Sequence, residues 1–267
     1  SNKYADTLYL PRLCNINPQS VYNKQDEFVT FVEQMDSDVI FMSESWERSE
    51  LTLEEIMKPL NDHTVISNVH QRGGRGGRPA LIINSQKYQV QNITQSVISI
   101  PWGVEAVWAV VTPKGVQNNS IIQRIVCGSV YMTTSARSHR PLLDHITDVY
   151  NILSTKYPKG LQWIIAGDTN RMKLDMILNL DPKMKQIVQT PTRLNPDAIL
   201  DPIIMTLSNY YQIPVCLPPL GADSGDTASD HLTVVAEPIS SINNKPARSI
   251  KKVTVRRLPN SGKEKMR

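Results

Sequence analysis

Six short polar strings, each closing or opening an apolar run, constrain the fold of this chain more than anything else in it. They are Asn15-Ile16-Asn17, Ser43-Glu44-Ser45, Gly128-Ser129-Val130-Tyr131, Gly167-Asp168-Thr169-Asn170, Leu200-Asp201-Pro202 and Ser229-Asp230-His231. Short apolar runs bounded by turn residues read as buried strands. Strands that end in Asp, Asn, Glu or His deliver those groups to one rim of a sheet. Carboxylates, carboxamides, a phenol and an imidazole on one rim suit a hard cation and a phosphate.

Periodicity fills in the rest. Phe28, Phe31, Val32 and Met35 predict a helix over 23–36, with Asn23 as its N-cap. Leu53, Ile56, Met57 and Leu60 predict a short second helix, and Leu142, Ile146, Val149 and Leu153 a longer one over 139–157. Strands are expected over 38–42, 63–68, 80–83, 104–111, 121–132, 161–166, 199–205 and 232–236. Many strands with a few amphipathic helices argue α+β, or a layered α/β sandwich. Trp46, Trp102, Trp108 and Trp163 are mostly expected in cores.

Composition bounds the function. With 267 residues, 40% of them hydrophobic, the chain can bury a large core. No apolar run reaches about 18 residues, so no membrane span is expected. The opening shows no secretory pattern and starts with Ser, which reads as a domain cut from a longer intracellular protein. Cys14, Cys127 and Cys216 are odd in number and lack metal-ligand spacing, so reduced thiols are expected. The Asn-x-Ser/Thr triplets at Asn92 and Asn118 read as chance. Net charge is +4, from 29 basic and 25 acidic residues. Residues 245–267 hold nine Lys or Arg and one acid, Glu264, which leaves 20 basic and 24 acidic residues, net −4, in 1–244. A uniformly basic clamp on nucleic acid is excluded. The tail either adds long-range attraction to DNA or is a solvated linker. The domain boundary is placed between 1–238 and 239–267.

Each string admits a local chemistry. Glu44 is the natural first ligand for a cation, with Asn17 and Asp230 nearby if the rims coincide. Asp168 can hold or deprotonate a water, and the Asn170 amide can donate to a phosphate or orient that Asp; Asp-x-Asn also builds turns. His231 stays protonated if a buried carboxylate, for which Asp201 is the candidate, pairs with it. The Tyr131 phenol could donate to a phosphate. Thr192 and Arg193, before Asp201, could touch backbone phosphate, as could Arg75 in the hairpin turn 72–78.

Taken in order, the six strings resemble the endonuclease/exonuclease/phosphatase superfamily over about residues 8–237. Three finer stretches narrow the likeness: Asn17-Pro18-Gln19-Ser20 with Asn23-Lys24, Asp38-Val39-Ile40 through Glu44-Ser45-Trp46, and Ala166-Gly167-Asp168-Thr169-Asn170-Arg171. These are similar to the apurinic-type endonuclease domain of non-LTR retrotransposons, which precedes a reverse transcriptase in cis. The basic end Val255-Arg256-Arg257-Leu258-Pro259-Asn260-Ser261-Gly262 resembles the connector leading there. The resemblance implies a four-layer α/β/β/α sandwich of two packed mixed sheets with outer helices. It implies Mg²⁺-dependent hydrolysis of a phosphodiester in double-stranded DNA, with Mn²⁺ as a substitute. The nick would leave a 3′-hydroxyl to prime reverse transcription, which places the protein in the nucleus. Glu44 and Asn17 would hold the metal, helped by Asp230. Asp168 would activate water, Asn170 and Tyr131 would hold the phosphate, and His231, oriented by Asp201, would stabilise the pentacovalent state. Two features depart from the family. Gln19 stands where some members carry an acid, which leaves fewer anionic ligands. The Trp-Cys-Asp-Arg string of the inositol-phosphatase branch is absent around Asp201. An abasic-site repair endonuclease and a DNA-binding module without catalysis are the rival expectations.

Overall fold

Alternation of side chains along the strands sorts the core into layers. The computed structural model describes residues 10–48, 50–67, 77–114, 122–133, 139–222 and 228–239. In chain order the first half holds β1 (Leu13–Ile16), α1 (Gln25–Met35), β2 (Val39–Met42), α2 (Leu53–Met57), β3 (His63–Ser67), β4 (Ala80–Asn84), β5 (Tyr88–Asn92), β6 (Glu105–Pro113) and β7 (Arg124–Tyr131). The second half holds α3 (Arg140–Lys156), β8 (Leu161–Asp168), α4 (Asp175–Leu178), β9 (Lys185–Gln186), β10 (Arg193–Leu194), β11 (Asp197–Ala198), β12 (Ile203–Met205), β13 (Val215–Leu217) and β14 (Thr233–Ala236). One six-stranded sheet runs β13-β14-β1-β2-β4-β3 and the other β5-β6-β7-β8-β12-β9, with β10-β11 as a separate ribbon. Both are mixed, because β1 with β2 and β7 with β8 are parallel while their other neighbours are antiparallel.

The inner faces meet in one core. Leu13, Val39, Phe41, Leu81 and Ile83 of the first sheet pack with Val107, Ala109, Ile125, Cys127, Ile164, Ala166 and Ile203 of the second. The alternate residues face outward. Cys14, Ile16, Ile40, Met42, Ala80 and Ile82 lie under α1 and α2, against Phe28, Val32, Leu53 and Ile56. Trp108, Val110, Val126, Trp163 and Ile165 lie under α3, against Leu142, Ile146, Val149 and Leu153. Four layers, helix–sheet–sheet–helix, result, as the resemblance implied. Burying each such aliphatic or aromatic side chain stabilises the fold by about 1.5–3 kcal/mol.

Several details differ from the sequence-based expectation. Helix α1 is capped at Lys24 without a side-chain bond, so Asn23 is not its cap. Strand β5 has one buried residue in five, Tyr88, too little alternation to read as a strand. Strand β13, for which no local signal was seen, joins the first sheet, and Tyr211 and Leu220 beside it are buried. Trp102 is exposed, against the expectation of a core residue. The three cysteines are free. Arg75, Asn118 and the basic tail 245–267 lie outside the described residues. No helix of the described residues is long and apolar enough to cross a membrane.

Candidate active site

Strand direction explains where the polar strings fall. The C-terminal ends of the parallel pairs β1/β2 and β7/β8 share a rim, and β12 and β14, antiparallel to β8 and β1, bring their N-terminal ends to it. Hence Asn17, Glu44, Tyr131 and Asp168 close their strands, whereas Asp201 and Asp230-His231 precede theirs. Parity places most of them in the cleft between the sheets. Asn15 and Asn17 continue the inward line of Leu13, Ser43 that of Phe41, Ser129 and Tyr131 that of Cys127, and Asp168 that of Ala166.

Hydrogen bonds tie the two sheets together at this rim. The Ser129 hydroxyl donates to Met42 O at 2.9 Å, and Asp168 N donates to Ser43 Oγ at 2.7 Å. Asn15 Nδ2 donates to Gly167 O and Pro202 O, both at 3.3 Å. Gly167 takes φ +142°, and a Cβ there would lie 1.9 Å from Val130 O. Only glycine lets β8 pass β7 so closely just before Asp168.

The carboxylates, amide and imidazole form one connected set. Asn17 Nδ2 donates to Glu44 Oε1 at 3.0 Å and to Asp168 Oδ2 at 2.9 Å. Trp46 Nε1 donates to Glu44 Oε2 at 2.9 Å. His231 Nδ1 meets Asp201 Oδ2 at 2.8 Å, and its Nε2 lies 3.8 Å from Asp168 Oδ2 and 3.6 Å from Asp230 Oδ1. Ser229 Oγ donates to Asn17 O at 2.6 Å and accepts from His231 N at 3.1 Å, which joins the last string to the first. Asn170 sits at φ +48°, its N–H donates to Asp168 Oδ1 at 2.9 Å, and its side-chain amide donates to Met132 O. The turn reading of Asp-x-Asn therefore holds, and the turn orients the Asp.

Charge in this set is redistributed by burial. Burial pushes the Asp168 carboxyl up to about 7; Asp201 and Glu44 add to this, while His231 and the Asn170 N–H resist it. For His231, burial opposes the charge, but the bond to Asp201 and the charges of Asp201, Asp168 and Asp230 outweigh it and raise the imidazole to about 9. Burial, then Glu44, Asp168 and Glu105, push the Tyr131 phenol up, so it remains a proton donor. The rim thus holds a carboxyl poised to take a proton beside an imidazolium.

Two groups of residues could hold a metal. Asp168, Asp201 and His231 offer atoms within 4.8 Å of one another, but the His231–Asp201 bond already joins two of them. The Glu44–Asn17–Asp168 side offers oxygen donors only, which hard divalent cations prefer: both carboxylates hold the Asn17 amide nitrogen between them, and the Asn17 oxygen accepts from Gln19 N at 3.1 Å. Asp230 is half-exposed and already bonded to Gln19 Nε2 at 2.6 Å and paired with Arg193. The structure thus brings together Asn17, Glu44, Tyr131, Asp168, Asn170, Asp201, Asp230, His231 and Arg193. Thr192 is a correction. Expected to touch DNA, it is fully buried; its hydroxyl donates to Asp201 Oδ2 at 2.7 Å and accepts from Leu200 N at 3.0 Å and Asp201 N at 3.1 Å. Four contributors were missed by sequence reasoning. Ser43 and Ser229, beside Glu44 and Asp230, were visible as strand-end hydroxyls. In the sequence Gln19 reads only as standing in place of an acid and Trp46 only as part of a stretch; their bonds to Asp230 and Glu44 are not readable there, and both sit in left-handed backbone, at φ +46° and +50°.

A cavity of about 270 Å³ opens next to Asn170 and Arg193, lined also by Thr133, His139, Arg171 and Leu200.

No protein-family model matches the chain, and no curated protein sequence does either. Solved structures do. The chain is similar to the endonuclease domain of TRAS1, a telomere-specific non-LTR retrotransposon, with 14% identity and a TM-score of 0.60, over 85% of this chain and 97% of that one. It is similar to an endonuclease/exonuclease/phosphatase from Bacteroides vulgatus at 12% identity and a TM-score of 0.61, over 85% and 97%. The Neisseria 3′ phosphatase NExo bound to a product DNA hairpin matches at 10% identity and a TM-score of 0.59, over 86% and 100%. The chain therefore shares the fold of these structures, two packed mixed sheets with helices outside.

Proposed function

We propose that this chain is a divalent-metal-dependent DNA endonuclease that nicks double-stranded DNA by hydrolysing a phosphodiester. The observation that carries the reading is the unbroken run of bonds from Glu44 through Asn17 to Asp168, with the Asp201-paired His231 beside it. Glu44 and the Asn17 carboxamide, with Asp230 as a further oxygen donor, would hold Mg²⁺ or Mn²⁺. Such an ion would neutralise charge on the phosphate as it builds. Asp168 holds the attacking water and takes its proton, at an acidity suited to neutral pH. His231, kept charged and oriented by Asp201, faces the negative charge that grows on the phosphoryl oxygens. Tyr131 and the Asn170 amide donate to the same phosphate, and Arg193 contacts the flanking backbone. Fixed donors cost no reorganisation during the reaction, which is where their effect on rate arises.

Within this chemistry the substrate is target DNA for a non-LTR retrotransposon. The nick leaves a 3′-hydroxyl that a reverse transcriptase in cis extends, in the nucleus. Likeness to the TRAS1 endonuclease domain and the basic 245–267 segment support this finer reading. The test is to map nick positions and end chemistry on long intact duplex in Mg²⁺, beside a duplex with one abasic site. Nicks on intact DNA with 3′-hydroxyl ends are expected. Cleavage confined to the abasic duplex would replace the reading with repair, and binding without cleavage in any divalent metal would reduce it to a DNA-binding module.

A further inference from the structure

The chemistry above gives no task to Trp102. Its indole is 82% exposed, whereas Trp108 and Trp163 are buried. The backbone beneath it is well fixed. Val104 N donates to Pro101 O at 3.1 Å, and Gly103 between them takes φ +82°. That is a tight turn with Trp102 and Gly103 at its centre, glycine being placed where positive φ is needed. Ile98, Ile100 and Val104 anchor both sides of the turn in the core beneath α3. An aromatic held outward by an anchored turn is pre-organised for a partner, since little conformational freedom is left to lose on contact.

Register gives its location. Strand β6 begins at Glu105, opposite Tyr131, and Tyr131 is opposite Asp168. Trp102 therefore lies just past the rim that carries the site, two strands across from Asp168. At strand spacings this is roughly 10–15 Å from Asp168. Nucleotides along one strand of duplex DNA are about 3.4 Å apart, so a duplex that runs from Asp168 along the rim toward β6 would meet Trp102 about three or four nucleotides away.

Resting on the DNA-cleaving function proposed above, we infer that Trp102 is a substrate-contacting residue that inserts its indole against a DNA base about three or four nucleotides from the cut phosphate. Apolar side chains enter duplexes between base steps in this way. Every base presents a π-face, so stacking of this kind tolerates sequence. Trp102 then positions the duplex and does not select a base.

Steady-state nicking of a long duplex by the whole chain, with Trp102→Ala and Trp102→Phe, tests this. In the alanine variant KM should rise about tenfold with kcat within about twofold, and phenylalanine should restore most of the loss. The slope of log affinity against log salt should not change, because no phosphate contact is removed. 2-Aminopurine scanned through the flanking nucleotides should be quenched by the wild type at one position, and that quenching should vanish in the alanine variant. Wild-type cleavage with an unaltered KM in the alanine variant overturns the inference and leaves the nuclease reading standing. A lower Tm without a KM change assigns Trp102 a structural role and overturns it too. A wild-type protein that neither binds nor cuts DNA overturns both.

Discussion

At Asp168 a single carboxyl accepts the Asn17 amide and the Asn170 N–H, faces His231, and lies near two further acids. Its acidity is therefore set by neighbours from both sheets. Asp168→Ala and His231→Ala should each lower nicking of supercoiled plasmid about a thousandfold or more per folded molecule, with circular dichroism to check that the fold is kept. The pH profile follows from the two shifts. Asp168 must be ionised to take a proton, so cleavage should rise as pH passes about 7. His231 must be charged, so cleavage should fall as pH passes about 9. The limbs belong to the coupled set, and His231→Gln should erase the alkaline one. The same lift on His231 adds stability below its ordinary value of 6.5, and that stability is lost as pH rises through about 9. Thr192 is the residue whose role the sequence hid. A threonine before an Asp could equally face solvent, and only the fold shows its hydroxyl serving three buried partners. Thr192→Val should cost about 1–3 kcal/mol in a denaturant titration, since it leaves Leu200 N, Asp201 N and Asp201 Oδ2 each short of a partner.

At the scale of elements, long and strongly patterned segments were readable. Helix α3 and strands β2, β7 and β8 fall close to their expected positions, because α3 carries an unbroken face of Leu, Ile and Val and each strand a short run of mostly apolar residues. Strands β9, β10 and β11 have two residues each. They exist through pairing with distant partners, which leaves no local periodicity to detect. The Gly167 crossing is the sharpest demand at this scale. Gly167→Ala should destabilise the fold by about 3 kcal/mol or more, by strain at its φ and by collision with Val130 O. Chemical denaturation measures the loss, and cleavage by the folded fraction should fall as well, because Asp168 is the next residue.

Across the whole molecule, the order of polar strings was enough to expect a layered sandwich with one rim site. Which inward-facing groups would bond across the cleft was not readable, since β1 and β8 are some 150 residues apart and only docking sets their register. The proposed metal donors lie at the edge of three apolar cores that close without them. EDTA should therefore abolish cleavage while leaving the far-ultraviolet circular dichroism unchanged. Mg²⁺ at about a hundred times its Kd should stabilise the fold by about 2.7 kcal/mol. The serines and asparagine that bridge the cleft have a further consequence. Glu44 belongs to one slab and Asp168 to the other, so neither slab is a nuclease by itself. A molecule whose slabs have slid apart by one residue would retain its helices and lose its scissors, and in gentle denaturant DNA cutting should fade before the helical signal does.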